Sequence, residues 1–108
     1  MFKNLEQLIQ KIKKQKNKNP KISYTASLLK KGKNFCTKKF MEEAKELAVS
    51  AKYSNKKNTT HEAADLLYHF LVLLEFKKIS MTSVMKELKR RQKISGIKEK
   101  KNRKKNVR

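Results

Sequence analysis

Two glycines and one proline in 108 residues leave this chain little with which to turn. Tight hairpins draw on residues that tolerate positive φ or pre-set a turn, and a sheet needs many such turns. A chain so short of them is expected to be all-α, a small helical bundle of about five long helices with few connections. Trp is absent and aromatic residues make up 7% of the chain, which suits packing by Leu and Ala. The length fits one small domain, whose modest core commonly gains stability from a second copy. A homodimer is expected to complete the bundle.

Apolar spacing predicts where the helices lie. Phe2, Leu5, Leu8, Ile9 and Ile12 define an amphipathic helix over 2–15. A polar connector with Pro20 follows, from Lys16 to Ile22. Ser23 is placed to cap a short helix, Tyr24 to Lys31, which Gly32 stops. A third helix is expected from about Thr37 to Lys52 on a stripe of Phe40, Ala44, Leu47, Ala48 and Ala51. Tyr53 to Asn58 reads as a polar turn. Thr59-Thr60-His61-Glu62 has the form of a capping box and predicts a fourth helix from there to Phe76. After Lys77, Lys78 and Ile79, Ser80 caps a fifth helix carrying Met81, Val84, Met85 and Leu88. Residues 1–92 then form the domain, and 93–108 a basic tail, expected to be frayed or disordered.

The formal net charge of +21 invites a nucleic-acid reading. However, 26 of the 30 basic residues are Lys, spread along the chain, whereas phosphate and base readers lean on the planar fork of Arg. The charge is therefore read as compositional drift on solvated faces, with no nucleic-acid partner expected. The single cysteine, Cys36, forms no intrachain disulfide, so nothing argues for secretion. No signal peptide is visible, and the longest apolar run, Leu66 to Leu74, is far short of the ~20 residues that span a bilayer. A cytoplasmic protein with no membrane association is expected.

Against this basic background the acidic residues stand out. Five of the nine fall in two short helical stretches, Glu42-Glu43-Ala44-Lys45-Glu46 and Glu62-Ala63-Ala64-Asp65. Positions three apart lie about 60° apart around a helix, so Glu43 and Glu46 project together, as do Glu62 and Asp65. Glu42 joins the sector of Glu46. A short loop between the third and fourth helices predicts antiparallel packing, which turns the two pairs toward each other. Four converging carboxylates repel, and a hard divalent cation with oxygen ligands, Mg²⁺, resolves the conflict. The fourth helix is apolar around nearly its whole circumference, the pattern of a central, buried helix, so Asp65 needs a cation or a basic partner there. For either pair alone a solvated helix face is the simpler account; together they favour a metal site.

At these residues the chain resembles the all-α nucleoside-triphosphate pyrophosphohydrolases, whose pattern is ExxE, a spacer, then ExxD. Within them it is most similar to the phosphoribosyl-ATP pyrophosphohydrolase family. Ser23-Tyr24-Thr25-Ala26-Ser27-Leu28-Leu29 matches that family's SYTASL segment, and Lys31-Gly32 its KG. Lys39 with Glu42-Glu43-Ala44 matches K-x-G-E-E-A, with Met41 in place of Gly. Glu62-Ala63-Ala64-Asp65-Leu66-Leu67-Tyr68-His69 matches EAADLLYH, and Leu88 with Arg90 or Arg91 resembles the closing L-x-x-R. The resemblance spans roughly residues 20–92. It implies Mg²⁺-dependent hydrolysis of phosphoribosyl-ATP to phosphoribosyl-AMP and pyrophosphate, the second step of histidine biosynthesis. Many relatives are fused to the cyclohydrolase of the next step; this chain is expected to act without it.

Roles follow for the individual residues, each with a plainer account beside it. Glu43, Glu46, Glu62 and Asp65 are the expected metal ligands, and Glu42 or Glu46 would orient the attacking water. Lys39 would hold a phosphate or the leaving pyrophosphate, or else pair with Glu43. His69 would support a ligand carboxylate, or else be a hydrogen-bonded core residue, and Tyr68 has the same two readings. Ser23, Tyr24 and Thr25 would contact ribose or phosphate, Ser23 being also an ordinary helix cap. Two other functions stay open: a sibling enzyme that destroys non-standard nucleotides, and a basic helical nucleic-acid-binding protein. The SYTASL and YH segments argue against the first, and the two carboxylate motifs are unexplained by the second.

Overall fold

The computed structural model describes residues 2–93, and they contain five helices and no strand. The chain divides into two compact units, Met1–Lys78 and Ile79–Arg108. The first holds α1 (Lys3–Gln15), α2 (Tyr24–Lys31), α3 (Lys33–Tyr53) and α4 (Lys56–Phe76). Its core is Ile12, Ala26, Leu28, Cys36, Leu71 and Val72, drawn from all four helices.

Local chemistry sets most of the helix ends. Lys13 and Lys14 close α1 against the negative end of its dipole. The connector turns on Asn19, whose side chain accepts from the Lys21 amide and whose carbonyl accepts from Ile22 and Ser23. Ser23 Oγ accepts from the Ala26 amide at 3.1 Å and caps α2. Gly32, with φ of 92°, ends α2 in a backbone conformation that side chains disfavour.

Two helix starts differ from the sequence expectation. α3 begins at Lys33, directly after Gly32, not at Thr37. Lys33 and Asn34 are exposed, but Phe35 is half-buried and Cys36 buried, so the apolar line of α3 begins one turn before the stripe that set the expected start. α4 begins at Lys56, and the turn is only Ser54 and Asn55. Asn55 Oδ1 accepts from the Asn58 amide at 2.8 Å and is the cap. Thr59 and Thr60 therefore lie inside the helix, and the Thr59 capping box does not form. Thr59 Oγ1 instead shares a 3.0 Å hydrogen bond with Ser50 Oγ, and Thr60 Oγ1 donates to the Lys56 carbonyl.

α3 and α4 run antiparallel, as the successive pairs Ser50 with Thr59, Glu43 with His69 and Phe40 with Phe70 require. The buried line of α3 is Cys36, Glu43 and Ser50, spaced by two turns. The expected stripe is only half-buried at Phe40, Ala44 and Leu47, and exposed at Ala48 and Ala51. α4 is likewise not buried all round. Only His69, Leu71 and Val72 are buried, while Ala63, Ala64 and Leu67 are exposed, because α1, α2 and α3 cover part of its circumference. Cys36 donates from Sγ to the Leu28 carbonyl, tying α3 to α2, and Lys16 bridges Glu75 at 2.9 Å, tying α1 to α4.

In the second unit α5 (Met81–Gln92) is capped by Ser80 Oγ, which accepts from Ser83. Glu87 accepts from Arg90 and Arg91, and these guanidinium groups hold its carboxyl down to about 2. The tail expected to be disordered lies outside the described residues, apart from Lys93.

Candidate active site

The α3–α4 hairpin brings the four carboxylates together. Glu43 is buried; Glu46, one turn on, lies against both Glu43 and Glu62; the charge of Asp65 acts on Glu43 and Glu62. Burial first, and then the neighbouring Glu46, raises the Glu43 and Glu62 carboxyls above the ordinary carboxylate range. Glu62 Oε2 is closed off from solvent and has no hydrogen-bond partner. An inaccessible carboxylate oxygen amid like charges fits a hard cation: the donors are all oxygens, and the cluster lacks a positive charge of its own.

Asp65 is less enclosed than the sequence implied. Its side chain is 41% exposed, and its Oδ2 lies 3.4 Å from His61 Nε2. One ligand atom each from His61, Glu62 and Asp65 falls within 4.8 Å of the others. His61 was not among the expected ligands; its position four before Asp65 was the available signal. At 69% exposure it is a half-free neighbour of the cluster.

Glu42 does not join the cluster. It pairs with Lys39 at 3.4 Å beside the cluster, where the charges of both act on His69, and the ion pair of Lys39 is therefore with Glu42, not with Glu43. The three-residue spacing places their side chains closer than the expected four-residue one does here. The Glu42 hydrogen bond raises the Lys39 ammonium, keeping it charged.

His69 is buried, with Nε2 3.8 Å from Glu43 Oε1, longer than a hydrogen bond. Burial, and then the Lys39 charge, lowers its imidazole, so it is neutral at physiological pH. Tyr68 packs edge-on against it at 5.1 Å, and Tyr24 at 6.2 Å. Tyr68 and Tyr24 are themselves stacked, 6.2 Å apart. The Tyr68 hydroxyl shares a 2.5 Å hydrogen bond with buried Thr25, and burial pushes its pKa above the ordinary tyrosine value. Tyr24, Thr25, Tyr68 and His69 thus form one wall running from Glu43 to the start of α2. Ser23 is part of that wall only as its cap, with its hydroxyl spent on Ala26.

Comparison with known proteins places residues 5–92 in one family. The model of the family described as phosphoribosyl-ATP pyrophosphohydrolase matches residues 5–92. The chain is 46% identical over 85 residues to a phosphoribosyl-ATP pyrophosphatase of Dinoroseobacter shibae, covering 79% of this chain and 83% of the relative. It is 44% identical over 99 residues to one of Roseobacter denitrificans, covering 92% and 94%. It is also 50% identical over 86 residues to the histidine biosynthesis bifunctional protein HisIE of Wolinella succinogenes, covering 80% of this chain but 38% of that longer protein.

Proposed function

This chain belongs to the phosphoribosyl-ATP pyrophosphohydrolase family, and from that membership we propose that it hydrolyses phosphoribosyl-ATP to phosphoribosyl-AMP and pyrophosphate, the second step of histidine biosynthesis. The observation that carries the reading is the convergence of Glu43, Glu46, Glu62 and Asp65, with an inaccessible, unbonded oxygen on Glu62. These four would hold Mg²⁺, which when bound offsets the triphosphate charge and polarises the phosphoryl group under attack.

The remaining residues divide the work by position. Glu46, wedged between Glu43 and Glu62, is committed to the cation. Glu42 stands outside the cluster, and its charge is felt at His69 beside Glu43; it orients the attacking water and accepts its proton. Lys39, held charged beside Glu42, receives the leaving pyrophosphate. Neutral His69 packs beside Glu43 and adds no positive charge that would compete with the cation. Tyr24, Thr25 and Tyr68 line the way to the rest of the nucleotide.

We assign this activity to residues 1–92, where the family match ends, and none to 93–108. No helix among the described residues is long and apolar enough to cross a membrane, and the nucleotide substrate is consistent with a cytoplasmic enzyme. The exposed apolar positions of α4 support a homodimer. The test is direct: incubate the protein with phosphoribosyl-ATP and Mg²⁺. Pyrophosphate and phosphoribosyl-AMP in equal amounts, abolished by EDTA, are expected. Release of orthophosphate, or no release, would overturn the proposal.

A further inference from the structure

Phosphoribosyl-ATP is anionic at two ends, a triphosphate and a separate ribosyl phosphate, and the carboxylate cluster serves only the first. Beside the cluster a groove of about 470 Å³ opens between α1 and the start of α2. It is continuous with the site through shared walls. Tyr24 and Tyr68 line it, and both rings pack on His69, whose Nε2 is 3.8 Å from Glu43. Another wall is α1, which precedes the SYTASL and carboxylate motifs and contributes Lys11 and Gln15, one turn apart on the same face.

The chemistry of the lining favours a sugar phosphate. Thr25 and the two tyrosines offer hydroxyls, Gln15 offers an amide, and Ile12 and Ile22 give the groove an apolar side. Lys11 is the only charged residue lining it. Lys16 and Lys39 are engaged by Glu75 and Glu42, but the Lys11 ammonium has no ion pair or side-chain hydrogen bond with any described residue. It lines this groove together with the tyrosines, and also borders a second groove along α1.

We propose that this groove holds the ribosyl-phosphate end of the substrate and that Lys11 binds its phosphate, so that α1 determines the preference for phosphoribosyl-ATP over a plain nucleoside triphosphate. The proposal rests on the substrate assigned above. Lys11 is a binding residue remote from the bond that breaks, so its loss should raise KM and spare kcat.

The experiment compares wild type, Lys11→Met and Lys11→Arg. KM and kcat are measured with phosphoribosyl-ATP and Mg²⁺, and Ki with ATP, which lacks the ribosyl phosphate, as competitor. Lys11 is exposed, and Met keeps most of its stem, so the fold is retained; a thermal melt checks this. Lys11→Met should raise KM roughly 10-fold or more, the worth of a hydrogen bond between charged groups, with kcat and the ATP Ki unchanged. Lys11→Arg should recover most of the KM. An unchanged KM in Lys11→Met overturns the proposal. So does an equal loss of ATP affinity, which would place Lys11 at the triphosphate. A wild-type protein inert toward phosphoribosyl-ATP overturns the assigned function along with it, whereas an active wild type with an indifferent Lys11→Met removes the groove assignment alone.

Discussion

At the scale of single residues, Asp65 is where two accounts part. As a metal ligand it belongs to the carboxylate cluster; as an ordinary surface residue it is half of an exposed pair with His61. Exposed pairs of that kind contribute little to stability or function. Asp65→Asn keeps the shape and loses the charge. If Asp65 binds the cation, Mg²⁺ affinity and turnover fall at least ~10–100-fold, while the melting temperature in EDTA holds or rises as one like charge leaves. A lower melting temperature in EDTA with an unchanged Mg²⁺ requirement would end its role as a ligand. Glu62 supplies a pH test of the same crowding. Burial and Glu46 raise its carboxyl in the folded protein, so the folded state favours its protonated form. That contribution is fully present below the unfolded value, near 4.5, and is lost as pH rises through the folded one. Glu62→Gln removes the loss. In EDTA the variant should melt above wild type at neutral pH, with the gap closing on acidification toward about pH 4.5. His69, which titrates in the opposite sense, is common to both proteins and cancels in the difference. A gap that stays constant with pH would show that Glu62 is not the group under strain.

At the scale of helices, the sequence was most legible where a single residue type fixes the backbone. Ser23, Gly32 and Ser80 each lie at the helix boundary their chemistry implies. The misread starts of α3 and α4 have different causes. The apolar line of α3 already begins at Phe35 and Cys36, one turn before the Phe40 stripe that set its expected start, whereas α4 opens on a solvated polar turn with no apolar period, and Thr59 to Glu62 imitate a cap inside a helix already under way. The carboxylate pairs survived this error because their spacing depends on the interior of each helix and on its antiparallel partner. Mutation separates the two candidate caps. Asn55→Ala removes the side-chain acceptor for the Asn58 amide and should cost about 1 kcal/mol in denaturant unfolding. Thr59→Ala removes only a hydroxyl shared with Ser50, which keeps Asn58 as a partner, and should cost less than that amount. The reverse ranking would restore the start of α4 to the Thr59 region.

At the scale of the molecule, the cluster could be anticipated because acidic residues are scarce in so basic a chain, whereas the groove between α1 and α2 could not. No spacing within α1 or α4 reveals that Lys11 and Tyr68 line the same groove, since the two are brought together only through tertiary packing. The buried surface tells a related story. An apolar circumference on α4 implied a central helix, yet Leu67 is 40% exposed and Ala63 and Ala64 lie open beside it. On α3, Met41 and Val49 are also exposed. A domain of this length has little apolar surface to spare for its own core, so leaving such positions in water forgoes stabilisation that a second copy would recover. A homodimer through α4 is the arrangement this favours, and Leu67 is its probe. In the single chain Leu67→Lys places a charge where water already reaches, so each protomer should still fold. Across an interface the same charge would be buried without a partner. Wild type should therefore sediment as a dimer at micromolar concentration with a melting temperature that rises with concentration, and Leu67→Lys as a monomer whose melting is independent of it. A wild-type monomer under those conditions, or a variant that remains dimeric, would show that this face of α4 is not the interface.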